Sequence, residues 1–338
     1  MLFTGTGETA DEIGKCVCYN GEADIYAGGD IITLITQEVD PLFVAYQQYQ
    51  SFSLKKKASF GQGHSVVHIQ KENLEKLDVA YPPSLQEQSR IAQILMKWDE
   101  AIELYNRQIE LLTQYKAVCL KKMFPSKGKN VPEWRFKGFT DAWEKRKLVN
   151  ITSLITKGTT PKDKSGEGEV NFIKVENIDS SSGEITSCSR ITFEEHDGYL
   201  KRSQLKEDDV LFSIAGTLGR TSVVNRGILP ANTNQALAIL RMSEGDISYL
   251  VTVLRGRAVS DFIKKNPTIG AQPNLSLEQV SNLEIPYPKI EEQRQIGAFF
   301  ESLDRLITLH QRKLETIQHQ RKVLQQYLLN GIVRVKHE

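Results

Sequence analysis

Residues 81–95, YPPSLQEQSRIAQIL, return at residues 287–300 as YPKIEEQRQIGAFF. Solenoid units recur every 20 to 50 residues or so, and a period near two hundred instead limits the chain to one domain plus one connecting helix, used twice. In the first copy, Ser84-Leu85-Gln86-Glu87 has the S-x-x-E form of a capping box and directly follows the helix-excluding Pro82-Pro83, so a helix is expected to start there. Ile91, Leu95, Trp98, Ile102, Tyr105, Ile109 and Leu112 then alternate steps of four and three, the a/d spacing of a coiled-coil seam. Nothing breaks the pattern before Pro125. A helix from Gln86 to Phe124 would be about 58 Å long.

The second copy keeps the register: Ile296, Phe300, Leu303, Ile307, His310, Leu314 and Ile317 each fall 205 positions after their counterparts. Glu87-Gln88 matches Glu292-Gln293, Asp99 matches Asp304, Arg107 matches Arg312, and Glu110 matches Glu315. Asn330-Gly331 is a C-terminal stop signal. The second start reads Pro288-Lys289-Ile290 and so lacks the hydroxyl cap. Two helices of equal length and register can bury each other's stripes; running antiparallel, they would put the preceding domains at opposite ends of a rod. His310 is expected to be a polar residue tolerated in that seam.

The repeat extends upstream. Residues 62–82 resemble 270–288, with Leu74, Leu77, Val79 and Tyr81 opposite Val280, Leu283, Ile285 and Tyr287. Leu2-Phe3-Thr4 aligns with Leu211-Phe212-Ser213, each before a Gly-Thr turn, whereas residues 125–210 have no counterpart in the first arm. The first arm is therefore expected to hold only the C-terminal half of a domain. Short Val, Ile and Phe runs at 169–178, 209–216, 219–225 and 235–240 predict strands, 248–264 predicts an amphipathic helix, and 127–132 a linker. The expected class is α+β, divided into a partial domain (1–82), a long helix (83–124), a full domain (125–289) and a second helix with a tail (290–338).

Composition removes other classes. No run reaches the 18 or so apolar residues of a membrane span, and the N-terminus lacks a secretory pattern, so a cytoplasmic protein with no membrane partner is expected. Cys16, Cys18, Cys119 and Cys188 are too scattered for a disulfide framework or a zinc site. The net charge of +1 gives no general argument for nucleic acid, but residues 1–82 carry 6 basic and 11 acidic side chains against 23 and 20 in residues 125–290. Any DNA contact must then come from local patches in the later segment. Gly5-Thr6-Gly7 with Gly14-Lys15 has six intervening residues where a phosphate loop needs four. Tyr81-Pro82-Pro83-Ser84 lacks the amide or carboxylate of the amino-methyltransferase motif. No catalytic centre, metal or cofactor is expected.

The P-x-x-x-E-Q entries at 83–88 and 288–293, the run LFSIAGTLGR at 211–220 and NQAL at 234–237 carry a resemblance covering the whole chain. It resembles the DNA-specificity subunit of type I restriction-modification enzymes. The resemblance implies two target-recognition domains, each followed by a long helix, with the helices pairing as an antiparallel coiled coil. It also implies a subunit without catalysis of its own that directs two methyltransferase (modification) subunits, and restriction/translocase subunits, to a two-part double-stranded DNA sequence. In that arrangement the coiled coil sets the gap between half-sites.

Lys157, Thr160 and Lys162, with Lys164, lie in a Gly/Pro/Thr loop suited to phosphates. Ser213, Thr217 and Arg220 flank a glycine turn, and Asn177, Asn234, Gln235, Gln272 and Asn274 offer the paired donor and acceptor that base edges require. The first arm, acidic and without such a loop, is expected not to read its half-site unaided. A coiled-coil scaffold with no DNA role and a self-contained methyltransferase are the alternatives.

Overall fold

The computed structural model describes residues 1–19, 21–63, 66–163, 165–265 and 274–335; the candidate residues Lys164 and Gln272 lie outside them. The chain forms two compact units, Met1–Arg107 with Gln311–Glu338, and Gln108–His310, so each long helix is shared between both.

In unit 1, β1 (Leu2–Thr4), β2 (Thr6–Gly7), β3 (Cys16–Val17) and β4 (Ile31–Thr33) precede α1 (Pro41–Gln48), α2 (Ser51–Ser59), β5 (Val67–His68) and α3 (Lys71–Leu74). An antiparallel sheet forms in the order β3-β1-β4, and β2 pairs with β5. Strand alternation turns Phe3 inward onto Cys16, Ala45 and Ile32, leaving Leu2 on the outer face. Burial pushes the Cys16 thiol up to about 11. Asp40 caps α1 by accepting from the Phe43 N–H at 2.8 Å, with Pro41 at the first helical position. Buried Lys57 donates to the carbonyls of Gly14 at 2.7 Å and Gln48 at 3.0 Å, and that burial lowers its pKa.

The long helix α4 (Leu85–Lys122) leads to unit 2, where β6 (Glu144–Lys147), β7 (Thr152–Lys157), β8 (Val170–Ile173), β9 (Ser189–Ile191), α5 (Phe193–Asp197), β10 (Val210–Ser213), β11 (Thr221–Val223), β12 (Ala231–Thr233) and β13 (Leu237–Met242) are followed by α6 (Ile247–Leu254), α7 (Arg257–Lys265), α8 (Leu277–Ser281), β14 (Glu284–Tyr287) and the second long helix, α9 (Ile290–Leu329). A four-stranded antiparallel sheet runs β11-β10-β13-β7, beside the sheets β12-β8-β9 and β14-β6. Both faces of the larger sheet are covered. Val210, Phe212, Ala238 and Leu240 pack on Tyr249, Leu250 and Val253; Leu211, Leu237 and Ile239 face the other way, onto Ile173, Ile178, Leu205, Val224 and Ala231.

Two expectations change. The helix expected over 248–264 is two helices, because Gly256 weakens the helix and Arg255 turns its guanidinium to Asp304 and to the carbonyls of Ser182 and Thr221. The strand expected over 169–178 stops at Ile173, where the Asn177 side chain accepts from the Lys174 N–H at 2.8 Å and closes a 3-10 turn.

The α4 N-terminus is capped by Ser84, whose hydroxyl accepts from the Glu87 N–H at 3.4 Å. α9 ends before Gly331, at φ +69°, a left-handed stop that favours glycine. In unit 1 the start of α4 (Ile91, Ala92, Leu95) packs with Phe43 and the end of α9 (Leu328, Leu329). In unit 2 the start of α9 (Ile296, Phe300, Leu303) packs with Tyr249 and the end of α4 (Cys119, Met123, Phe124). Each helix begins beside the other's end, so the pair is antiparallel. Ile91, Leu95, Ile296, Phe300, Leu303 and Ile317 are buried, and Trp98, Ile102, Ile109, Leu112, Ile307 and Leu314 are half-buried, as is His310.

Charges repeat with the register. In unit 1 Arg321 donates to both oxygens of Asp99, at 2.8 and 3.0 Å. In unit 2 Lys116 donates to Asp304, each partner lying 205 positions from its counterpart.

Candidate nucleic-acid interface

One end of the four-stranded sheet in unit 2 gathers most of the polar candidates. β7 leaves the sheet at Lys157, β10 at Ser213, and β13 enters it at Leu237, so three turns meet. Gly158 makes the closest approach: a Cβ there would sit 1.9 Å from the Thr233 carbonyl oxygen and 2.3 Å from that of Asn234. Only glycine fits that position. The Gly158 N–H donates to the Leu237 carbonyl at 3.3 Å and the Thr159 N–H to the Thr233 carbonyl at 3.0 Å. The Thr160 hydroxyl donates to the Gln235 side chain.

The third turn is tied to the second. The Ile214 N–H donates to the Ala236 carbonyl at 2.8 Å, the Leu275 N–H to the Ile214 carbonyl at 2.7 Å, and Ala215 bridges to Asn274. Lys157, Thr160, Lys162, Thr217, Gln235 and Asn274 are exposed there, and Asn234 is half-buried, its side-chain oxygen accepting from the Ala236 N–H at 3.2 Å.

Three candidates make hydrogen bonds to the framework. The Ser213 hydroxyl donates to the Thr217 carbonyl at 2.6 Å and accepts from the Arg220 N–H at 2.7 Å. Arg220 donates to the carbonyls of Val175 at 3.1 Å and Ile178 at 2.8 Å. Asn177 bonds Lys174 and Ser187. Each satisfies a backbone group that a tight turn leaves unpaired, and an unpaired buried polar group costs about 1–3 kcal/mol.

Sequence reading missed Tyr199 and Arg202. The Lys162 ammonium lies over the Tyr199 ring, 4.6 Å from its centre, and Arg202 donates to the Thr159 hydroxyl at 3.3 Å. Both come from a segment some forty residues away, and no periodicity links them to the loop. Glu195 fixes the loop by accepting from the Lys162 N–H at 2.6 Å and the Asp163 N–H at 3.2 Å. The result is a braced polar edge with Lys157, Lys162 and Arg202 as cations and Gln235 and Asn274 as amides.

Residues 7–114 and 140–319 both match the type I restriction modification DNA specificity domain. The chain belongs to this family. Among its relatives, this specificity chain is 28% identical over 312 residues to the type I restriction enzyme MjaVIII specificity subunit of Methanocaldococcus jannaschii, covering 86% of this chain and 71% of the relative. The putative MjaX specificity subunit of the same organism is 25% identical over 354 residues, covering 96% and 76%. A crystallised type I restriction-modification S subunit from M. genitalium shares the fold with a TM-score of 0.68 at 16% identity, over 97% of this chain and 82% of that one. No helix among the described residues of the specificity chain is long and apolar enough to cross a membrane.

Proposed function

We propose that this specificity chain binds double-stranded DNA in a sequence-dependent way and directs two methyltransferase subunits, and restriction/translocase subunits, to a two-part target in the cytoplasm, without a catalytic group of its own. Residues 125–289 form the recognition domain for one part, residues 1–82 contribute to the other, and the helices at 83–124 and from 290 onward join them. The observation that carries this reading is the convergence of Lys157, Lys162 and Arg202 with Gln235 and Asn274 on one braced sheet end. Cations held there neutralise phosphates, and amides offer the donor and acceptor that read an adenine edge. Ser213, Asn177 and Arg220 act by positioning those turns.

Each phosphate contact contributes about 0.9 to the slope of log affinity against log salt. Changing Lys157, Lys162 and Arg202 together to Ala should weaken binding to all duplexes in the assembled complex and flatten that slope by roughly 3. An unchanged slope rules this surface out. Methylation mapping of a host with and without the gene should show one two-part motif lost, and an unaltered methylome argues against the whole reading.

A further inference from the structure

β11 is an end strand of the four-stranded sheet in unit 2 and pairs there with β10. The Ser213 N–H donates to the Arg220 carbonyl at 2.8 Å and the Val224 N–H to the Asp209 carbonyl at 2.9 Å. In an antiparallel ladder the bonded residues alternate, so Arg220, Ser222 and Val224 turn their backbone groups toward β10, and Thr221 and Val223 turn theirs outward. The outward Thr221 carbonyl accepts from Arg255 at 2.8 Å. Val223 meets no hydrogen-bond partner on that side among the described residues, and an edge N–H and C=O left open in this way are a template for another chain.

A cleft of about 610 Å³ opens along this edge, walled by residues 182–185 on one side and by α6 on the other, with Glu301 and Asp304 of α9 beside α6. All of it lies within unit 2. A strand edge facing a helix across a slot is an arrangement that takes up an extended peptide by adding it to the sheet. Ser222 also lines the cleft; it is 1% exposed, and its buried hydroxyl has no hydrogen-bond partner among the described residues. Buried polar groups are nearly always bonded, so this hydroxyl calls for a partner from outside the chain.

The lining sets the charge of the guest. Glu184, Asp208, Glu301 and Asp304 face a single cation, Arg255. Asp304 is matched from within, by Arg255 at 3.3 Å and by Lys116. Glu301 receives the Ser248 hydroxyl at 2.9 Å and no cation, and the exposed Asp208 carboxylate receives neither a hydrogen bond nor an ion pair among the described residues. No group of three acids there is placed to hold a metal ion among the described residues, and the surplus negative charge repels nucleic acid. The cleft lies at the opposite end of β10 from Ser213, roughly 13 Å away for four strand residues, so a guest in it leaves the polar turns free for DNA.

We propose that the cleft between β11 and α6 anchors an extended segment of the methyltransferase subunit that carries a lysine or arginine. The segment adds a fifth strand by bonding the Val223 N–H and carbonyl, sets a polar side chain on the Ser222 hydroxyl, and offers its cation to Asp208 and Glu301. Methyl transfer has to occur on the sequence that unit 2 reads, which requires the methyltransferase subunit to stay within reach of this domain. The inference rests on the reading that the chain directs methyltransferase subunits.

The test compares hydrogen exchange of the full chain alone and mixed with the methyltransferase subunit. The Val223 amide should exchange at least tenfold more slowly in the complex. A complex that forms with Val223 exchange unchanged overturns the proposal and leaves the functional reading standing; if no complex forms, that reading fails and takes the proposal with it. Protection of Val223 by the restriction subunit, or by raising the concentration of the chain alone, also overturns it. Asp208→Asn with Glu301→Gln should weaken the complex about tenfold at low salt, by a margin that shrinks as ionic strength rises, and should leave the melting of the chain alone as it was. Equal affinity of this variant and the parent at low salt overturns the assignment of a basic segment.

Discussion

Arg220 and Lys15 occupy the same place in two copies of one turn, and they live differently. Arg220 is half-buried and ties its turn to the carbonyls of Val175 and Ile178; Lys15 is exposed. The same holds for Leu211, fully buried, and Leu2, only half-buried. Backbone hydrogen bonds of the strand-turn-strand framework survive without the second layer, while side-chain burial does not. Local geometry is thus set by glycine placement and strand pairing, and most of the stabilisation comes from what covers the sheet.

The contrast should be sharpest at the buried glutamates. Glu292 is 1% exposed and receives both Arg135 and, at 3.1 Å, the Trp143 indole N–H, so Glu292→Ala leaves a buried arginine unpaired and should cost unit 2 about 3–5 kcal/mol in urea unfolding. Glu87→Ala should cost unit 1 visibly less, since the partner Arg334 side chain is 60% exposed; equal losses would erase the distinction between the units. Next comes Leu211→Ala, expected to cost about 3 kcal/mol, against under about 1 kcal/mol for Leu2→Ala. Arg220→Ala should cost about 2 kcal/mol, and Lys15→Ala should stay within about 0.5 kcal/mol of the parent. The smallest effect is expected at the helix starts: Ser84→Ala should destabilise α4 by about 1 kcal/mol at most, a contribution α9 does without.

The long helices were legible because a heptad is a local pattern whose register needs no knowledge of the partner; of the ion pairs, the aspartates Asp99 and Asp304 were aligned across the repeat, but their partners Arg321 and Lys116 were not. The four strands expected were found to within a few residues, whereas β6, β7, β9, β12 and β14 were not expected at all; the break at Arg255-Gly256 was not legible either, because it depends on carbonyls contributed by residues 182 and 221. The polar turn residues were the least legible. Ser213, Asn177 and Arg220 have the chemistry of base or phosphate contacts, but a tight turn exposes carbonyls and N–H groups that claim them first. Tyr199 and Arg202 reach the loop only through the fold, so no spacing in the chain could have singled them out.

The two ion pairs of the coiled coil have a consequence for symmetry. Since α4 carries Asp99 and Lys116 at the spacing at which α9 carries Asp304 and Arg321, a single helix already holds both the lock and the key. Each helix thus offers the other one acid and one base, and exchanging the two rods would leave the charge pattern of the pair unchanged.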